Sequence, residues 1–356
     1  MAQPELLTRL KPLYIQNRKY IGSKHHLLEF IAGIVAEKAP EARSFADLFA
    51  GTGVVAHHFA RAGMAVTAAD TLYHNYLAAR CFMGGEPGEV DWDRMAELLA
   101  ELDQLEPREG YCTHWYGGSY FTYPNAGRID AIRESIAYWA AEGDISPQEE
   151  AVLLTSLLYG ADKVANTCGQ YDAFLKHLGS SPYSAEGVHR VDSQVYKPLR
   201  LGLPQVIESG NAQIRCADAA QVVAEGEWDV LYLDPPYNTR QYVDNYHVLE
   251  NIARWTKPLL MGKTRKFPRQ ELKSPYSTRR HAASHMQQLI SQARARHILI
   301  SYNNEGIIPD ELILQALNAR GETQVFTRTY AIFGNGAGRS NRRPILERVF
   351  YCRVTS

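Results

Sequence analysis

The stretch Val230-Leu231-Tyr232-Leu233-Asp234-Pro235-Pro236-Tyr237 decides the fold. Its four apolar residues predict a buried parallel strand. Two consecutive prolines cannot continue that strand, because proline lacks an N–H donor and its φ is fixed. The chain must therefore leave the sheet at the carboxyl end of the strand, which is the edge at which open α/β sheets bind ligands. An acidic acceptor, a rigid turn and an aromatic face arrive there together. Such a set suits a planar base that carries an amino group.

A glycine turn follows another short strand, in Phe45-Ala46-Asp47-Leu48-Phe49-Ala50-Gly51-Thr52-Gly53. A helix is expected directly after it, from Val54 onward. Glycines allow a ligand to approach the backbone closely, and the helix N-terminus offers free N–H groups. Gly51, Gly53 and Ala56 also fit the loose dinucleotide pattern G-x-G-x-x-A, so the stretch indicates a nucleoside cofactor without specifying which one. Asp47 is unusual for a buried position, and an amino group on the ligand would explain it.

Two more acids follow predicted strands. Asp70 ends the strand 65–69, where an acid commonly takes ribose hydroxyls; the alternative is a cap for a helix over 72–83. Asp218 follows the strand 213–217. Near the N-terminus, Lys24 follows the turn residue Gly22. It either points at a ligand or is a solvated lysine at the start of a capped helix.

Length and composition favour a cytosolic protein made of one domain with a large insertion. The chain has 356 residues, of which 45% are apolar and 22% charged, and its net charge is −1. Its five cysteines include no C-x-x-C pair, so reduced thiols are expected rather than disulfides or a zinc site. The N-terminus has no signal-like apolar stretch, and no segment approaches the roughly 18 apolar residues needed to span a bilayer. We therefore predict a cytoplasmic location without metal or membrane.

Charge is unevenly placed, and the basic segments predict contacts with a polyanion. Residues 254–298 contain eleven Lys or Arg and one acid, whereas residues 86–109 contain nine Asp or Glu and two Arg. A loop over 260–285 and a glycine- and arginine-rich loop over 334–343 would suit phosphates; the alternatives are a solvated mobile loop and a plain linker between hairpin strands. The residues predicted to contact the phosphates of this polyanion, which would be DNA if the family resemblance of the motifs holds, are Lys263, Arg265, Lys266, Arg269, Lys273, Arg339, Arg342 and Arg343.

Between about 85 and 205 the alternation of strands and helices stops, and helices are expected over 128–142 and 147–160. Aromatic residues and glycines are mixed over 111–123. These rings either stack on bases or form a small core for the inserted segment. Two strands over 323–333 and 345–353 are expected to pair antiparallel.

The assembled motifs resemble the Dam-type DNA adenine methylases, which transfer a methyl group from S-adenosylmethionine to the exocyclic amine of adenine in duplex DNA. The matching pieces span about 14 to 350 in that group's order, from Tyr20-Ile21-Gly22-Ser23-Lys24 through the glycine turn to the tetrad. The resemblance implies an α/β fold: a Rossmann-like methyltransferase sheet with helices on both faces and a C-terminal antiparallel hairpin. Residues 1–84 and 206–356 would form the catalytic domain. Residues 85–205 would form a mainly helical inserted target-recognition subdomain.

The resemblance also implies roles for single residues. Asp47, Gly51 and Gly53 would hold the methionine end of the cofactor, while Tyr20 and Lys24 would close over the cofactor and the base. Asp70 would take the ribose hydroxyls and Asp218 the adenine amine of the cofactor. The catalytic set would be the tetrad. Within it, the Asp234 carboxylate and the Pro235 carbonyl would accept hydrogen bonds from the target amine, Pro236 would keep the turn rigid, and Tyr237 would stack on the flipped base; Asp234 would also border the cofactor.

Together these features predict a site-specific methyltransferase acting on double-stranded DNA. It would serve either a restriction-modification system, with a cognate endonuclease not necessarily in contact, or as an orphan methylase. Alternatives are methylation of cytosine, of an RNA base or of a protein glutamine amide, and a catalytically silent DNA-binding subunit. A nicotinamide dehydrogenase would leave the tetrad unexplained.

Overall fold

The computed structural model describes residues 10–175, 193–330 and 345–355. Its strands are β1 (Lys11–Leu13), β2 (Ser44–Asp47), β3 (Ala65–Asp70), β4 (Gly202–Pro204), β5 (Ala212–Cys216), β6 (Trp228–Leu233), β7 (Ala295–Asn303), β8 (Gly321–Tyr330) and β9 (Ile345–Val354).

The helices are α1 (Leu28–Lys38), α2 (Val54–Arg61), α3 (Tyr73–Met83), α4 (Trp92–Gln104), α5 (Tyr111–Tyr116), α6 (Tyr123–Glu142), α7 (Pro147–Val164), α8 (Ala219–Glu225), α9 (Tyr242–Arg254), α10 (Ala282–Gln292) and α11 (Asp310–Asn318). Single 3-10 turns lie at Ile15–Asn17, His25–Leu27, Ser193–Tyr196, Gln270–Leu272 and Pro275–Ser277. Across the described ranges, no helix is long and apolar enough to cross a membrane.

Seven strands form one sheet in the order β5-β3-β2-β6-β7-β9-β8. The first five are parallel, and β9 pairs antiparallel with both β7 and β8. The predicted mixed α/β sheet with a C-terminal antiparallel pair is therefore confirmed. From β2 the chain first builds one side of the sheet through β3 and later the other side through β6. Ligands bind at such a switch point, beyond the carboxyl ends of the strands.

Alternation along β6 explains why this strand is apolar throughout. Val230 and Tyr232 pack into one core with α1 and α2, whereas Leu231 and Leu233 pack into a second core with α8, α10 and α11. Successive side chains of a strand point to opposite faces, so a strand covered on both faces needs apolar residues at every position. Both faces of the sheet are accordingly covered by helices.

The helices between residues 85 and 205 share a third core with helices of the sheet-bearing part of the chain. This core joins α4 to α7 with α3 and α9. Tyr116, Tyr120 and Phe121 are completely buried in it. Most of the aromatic stretch 111–123 is therefore core, whereas Tyr123 is 62% exposed. The insertion is thus packed against the helix that follows the tetrad, not tethered at a distance from it.

A buried carboxylate joins α3 to α9 inside this core. Glu250 accepts hydrogen bonds from the N–H groups of Tyr73 and His74 and pairs with the His74 ring and with Arg254. The first N–H groups of a helix have no partner within the helix, so a carboxylate at this end satisfies them. Glu250 thereby fixes α9, and with it the chain leaving the tetrad, against the helix that follows Asp70.

Candidate active site

Two cavities meet at the carboxyl edge of the sheet, and Tyr20, Lys24, Asp234 and Tyr242 line both of them. The first cavity also contains the glycine turn and the three other acids expected at strand ends. The second cavity contains Pro235 and Tyr237 of the tetrad, whereas Pro236 lines the first. Asp234 therefore stands between a space that suits a nucleoside and a space beside Pro235 and Tyr237.

Asp234 is held on both oxygens. Lys24 Nζ lies 2.8 Å from its Oδ2, and the Tyr237 hydroxyl donates to its Oδ1 over 2.7 Å. Lys24 also donates to the Gly22 carbonyl, which turns the N-terminal loop over the site. Lys24 Nζ lies 4.8 Å from the centre of the Tyr237 ring, so the lysine covers one face of that ring. The Tyr237 ring is supported edge-on by Tyr302.

Asp47 lacks a partner for one buried oxygen. The residue is 1% exposed, and its Oδ1 accepts no hydrogen bond in the described part of the chain. Burial, with a further contribution from the nearby charge of Asp234, raises the pKa of Asp47 to about 8. An unpaired buried acceptor costs stability unless a ligand satisfies it. The atom is therefore placed to receive a donor from a bound molecule.

The other two acids of the first cavity are partly occupied by backbone donors. Asp70 accepts from the N–H groups of Gly51 and Leu72, and burial raises its pKa to about 6. Asp218 caps α8 by accepting from the N–H group of Ala220 over 2.8 Å. Each carboxylate keeps acceptor capacity beyond these bonds.

Gly51 and Gly53 have different roles. Gly51 lines the first cavity with φ +54°, and a Cβ there would lie 3.0 Å from Cε1 of Tyr20. Gly53, with φ +79°, precedes α2 and faces Ile15 and Met83 behind the turn, so it shapes the turn without lining the cavity. The positive φ and the close contact with the Tyr20 ring explain why glycine is favoured at position 51.

The basic residues predicted to bind DNA fall into three groups. Lys266 and Arg269 both pair with Asp244 at the start of α9, and the Arg265 guanidinium lies 5.7 Å from the Trp115 ring centre. Lys263 and Lys273 are exposed. The remaining predicted residues lie outside the described residues: Arg339, Arg342 and Arg343.

Two residues of the second cavity were not anticipated from sequence. Arg18 is 4% exposed; it donates to Asn75 and lies 5.0 Å from the Tyr20 ring centre. Glu347 on β9 has a buried Oε2 without a partner among the described residues, and burial raises its pKa. In the sequence, nothing distinguishes Arg18 from an ordinary basic residue of a loop. The alternation of β9 would place Glu347 on one face of the sheet but gives no sign of the cavity.

The first cavity suits a ligand that carries positive charge and several donors. Four carboxylates line it, from Asp47, Asp70, Asp218 and Asp234, and Lys24 is the single Lys or Arg among its lining residues in the described chain. No group of three or more His, Cys, Asp or Glu in the described ranges could hold a metal ion. The arrangement can bind a cationic nucleoside and present acceptors to an amine in the second cavity.

Comparison with known proteins shows that the chain is similar to DNA methyltransferases. Residues 20–308 match the family described as D12 class N6 adenine-specific DNA methyltransferase. The chain is 36% identical over 325 residues to "Type II methyltransferase M.NlaIII" of Neisseria lactamica, covering 88% of this chain and 92% of that protein. It is 33% identical to "Type II methyltransferase M.FokI" of Planomicrobium okeanokoites and 32% identical to "Modification methylase StsI" of Streptococcus sanguinis. These alignments cover 88% and 94% of this chain but only 48% and 51% of those longer proteins.

Proposed function

Because the chain belongs to the D12 class N6 adenine-specific DNA methyltransferases, we propose that its second cavity receives an adenine flipped out of duplex DNA, with Asp234 as the acceptor for the target amine. The observation that carries this proposal is the position of Asp234 on the boundary of both cavities. One carboxylate can there border a cofactor on one side and a base on the other.

The family uses S-adenosylmethionine, and the first cavity fits that molecule. The unpaired Oδ1 of Asp47 would accept from the ammonium group, with Gly51 leaving room beside it. Asp70 would take the ribose hydroxyls and Asp218 the adenine amine. When bound, S-adenosylmethionine supplies a methyl group activated by a sulfonium. The excess of carboxylates matches its positive charge.

The residues of the second cavity would prepare the amine for attack. The lone pair of an aryl amine is delocalised into the ring, so the nitrogen is a poor nucleophile. The Asp234 carboxylate and the Pro235 carbonyl would accept its two N–H groups, favour an sp³-like nitrogen and stabilise the positive charge that develops on it. Pro236 keeps the two acceptors in fixed relation, since its φ cannot vary. Holding the amine against the first cavity supplies proximity.

The base would have to displace Lys24 from the face of Tyr237. In the structure the lysine covers that face, whereas stacking of a base on Tyr237 requires it to be free. The same Lys24 Nζ lies over the ring and contacts Asp234 Oδ2, so clearing the ring would require the Lys24–Asp234 contact to shift as well. The Tyr237 hydroxyl would yield Oδ1 to the incoming amine. The Lys24–Asp234 pair therefore holds the acceptor in place before the base arrives.

The relatives carry the names of Type II and modification methylases, and we propose that this chain has the same role. It would protect DNA alongside a cognate endonuclease, in the cytoplasm of a bacterial cell. The basic segment 254–298 supports duplex DNA as the substrate through its excess of positive charge. The inserted helices α4 to α7, with residues 85–205 as a whole, are proposed to read the sequence around the target.

Replacement of Asp234 tests the proposal. The Asp234→Ala variant is expected to lose methyl transfer by at least about 100-fold, because one preorganised partner of the developing charge is removed. Its fold, followed by circular dichroism, and its DNA affinity should persist. Glu225→Gln on the exposed end of α8 is the matched control and should retain wild-type rates. Wild-type activity of Asp234→Ala would refute the assignment.

A further inference from the structure

The segment after α9 forms a small hairpin whose outer face is apolar. Met261 and Lys266 exchange backbone hydrogen bonds of 2.8 and 3.0 Å, and the turn between them uses Gly262 with φ +71° and Arg265 with φ +54°. Leu260 and Phe267 point into the core and are 7% and 6% exposed. The turn is thus fixed from below by buried side chains.

Leu259 and Met261 point the opposite way. Both flank the buried Leu260, and alternate burial of this kind is typical of an extended segment. Leu259 is 81% exposed and Met261 61% exposed. Extended segments with one buried face normally carry polar residues on the other. Two large apolar side chains here therefore need a reason outside the fold of the chain.

The hairpin is held rigidly beside the active site. Tyr120 of the insertion donates to the Thr264 carbonyl over 3.0 Å, and a ring nitrogen of His247 on α9 lies 2.6 Å from the same oxygen. Asp244 pairs with Lys266 at the base of the hairpin. Position 247 is five residues along α9 from Tyr242, which lines both cavities, and α9 is kinked between them at Tyr246.

The same segment continues directly into the wall of the first cavity. Leu272 and Ser274 line that cavity, and Ser274 exchanges two hydrogen bonds with Gln241, the residue before α9. The hairpin and the cofactor site are therefore joined by one short, well-anchored stretch of chain. The hairpin is thus linked to the first cavity along the chain as well as through its contact with α9.

Basic residues are frequent in the stretch of chain that carries the two apolar side chains. Lys263 and Lys273 are exposed nearby in sequence, and residues 254–298 carry eleven Lys or Arg against one acid. A surface with apolar side chains set among positive charges matches a partner with an anionic exterior and an apolar interior. Duplex DNA has both, in its phosphates and its stacked bases.

We propose that Leu259 and Met261 form an apolar wedge that enters the base stack next to the target adenine, while the neighbouring lysines contact phosphates. This inference rests on the proposed function. A base that leaves the duplex opens a gap between its neighbours, and refilling it with apolar side chains offsets part of the unstacking cost of a few kcal/mol. The wedge thereby favours the flipped state without touching the flipped base.

The test compares paired and unpaired targets. The double variant Leu259→Ser/Met261→Ser is assayed on a duplex carrying the site methylated by the wild-type protein. The same double variant is then assayed on that duplex with an abasic position opposite the target adenine, where the target has no pairing partner and flipping it costs less free energy. Leu312→Ser, which replaces a 43% exposed leucine on α11, is the matched control. Thermal melting confirms that all variants are folded.

The wedge variant should lose at least tenfold in rate on the paired duplex and return to within threefold of wild type on the abasic duplex. Equal loss on both substrates, or no loss on either, would overturn the wedge. A further outcome is that the double variant sediments as a smaller species than the wild-type protein without a selective loss of rate on the paired duplex. That result would also overturn the wedge, because it would assign the two side chains to a contact between copies of the chain. Absence of methylation by the wild-type protein on any duplex, which would leave no site to select, would instead refute the proposed function.

Discussion

Lys24 and Asp234 are 210 positions apart in the chain, and their side chains form a buried ion pair of 2.8 Å at the junction of the two cavities. Their side chains are 5% and 15% exposed. Removing one partner of a buried pair leaves the other charge uncompensated. The pair therefore ties the N-terminal loop to the tetrad and holds the Asp234 carboxylate, the proposed acceptor, in position.

We predict that Lys24→Met lowers the free energy of unfolding by about 3 kcal/mol, because Asp234 is left buried without a cation. Lys24→Met/Asp234→Asn should recover much of this loss, which urea denaturation of the two single variants and the double variant would measure as a coupling energy. Strictly additive effects would show that the contact contributes nothing to stability.

Asp47 should make cofactor binding depend on pH. Its pKa of about 8 means that the free protein holds a proton there at pH 7, whereas the ammonium of the cofactor requires the ionised form. Binding should therefore release close to one proton near pH 7, and affinity should rise as pH increases from 6 toward 8. Calorimetry in buffers of different ionisation enthalpy measures this release.

Asp47→Asn is the control for that titration. Protonation of the cofactor's own ammonium group affects binding to the variant and to the wild-type protein equally, so the difference between them reports the Asp47 carboxylate. The same raised pKa predicts that the stability of the free wild-type protein decreases from about pH 4 to about pH 8 and levels off above it, since over that range the folded state keeps a proton that the unfolded state has lost. Identical pH profiles for Asp47→Asn and wild type would contradict the role given to this carboxylate.

Gly51→Ala should damage the cofactor site specifically. Both Gly51 and Gly63 have positive φ, and each substitution by alanine should cost about 1 kcal/mol of stability from backbone strain. A Cβ at position 51 meets the Tyr20 ring, whereas position 63 faces open space. We expect at least tenfold weaker cofactor binding for Gly51→Ala and unchanged binding for Gly63→Ala, measured by calorimetry. Equal affinities would place Tyr20 outside the site.

The basic loop should contribute unequally to DNA binding. Lys263→Ala and Lys273→Ala should each weaken binding to all sequences and reduce the slope of log affinity against log salt by about 1. Lys266→Ala should change the slope less, because its ammonium is paired with Asp244. Fluorescence anisotropy at several salt concentrations measures these slopes. Equal slopes for wild type, Lys263→Ala and Lys273→Ala would exclude the loop as a phosphate contact.

The strand ends were predictable from sequence because they depend on local pattern. An apolar run followed by prolines must leave the sheet, and acids that follow parallel strands must meet at one edge. The sequence therefore placed Asp47, Asp70, Asp218 and Asp234 in one region, and the structure brings all four to one cavity. The antiparallel pairing of β8 with β9 followed from alternation in the same way.

Contacts between distant residues were not predictable, because tertiary packing determines them. No local pattern indicates that Lys266 and Arg269 pair with Asp244, so the sequence treated them as free phosphate ligands. The aromatic stretch of the insertion was ambiguous for a related reason. The same rings suit a core or a stacking surface, and the packing of α3 and α9 decides for the core.

The measurement that tests the central claim most directly is transfer of labelled methyl groups from S-adenosylmethionine to duplex DNA lacking prior methylation, followed by digestion and identification of the labelled nucleoside. The wild-type protein should produce N6-methyladenine at one sequence context, and Asp234→Ala should produce at least about 100-fold less. Label in N4-methylcytosine, or equal N6-methyladenine from both proteins, would contradict the assignment of Asp234 as the acceptor for an adenine amine.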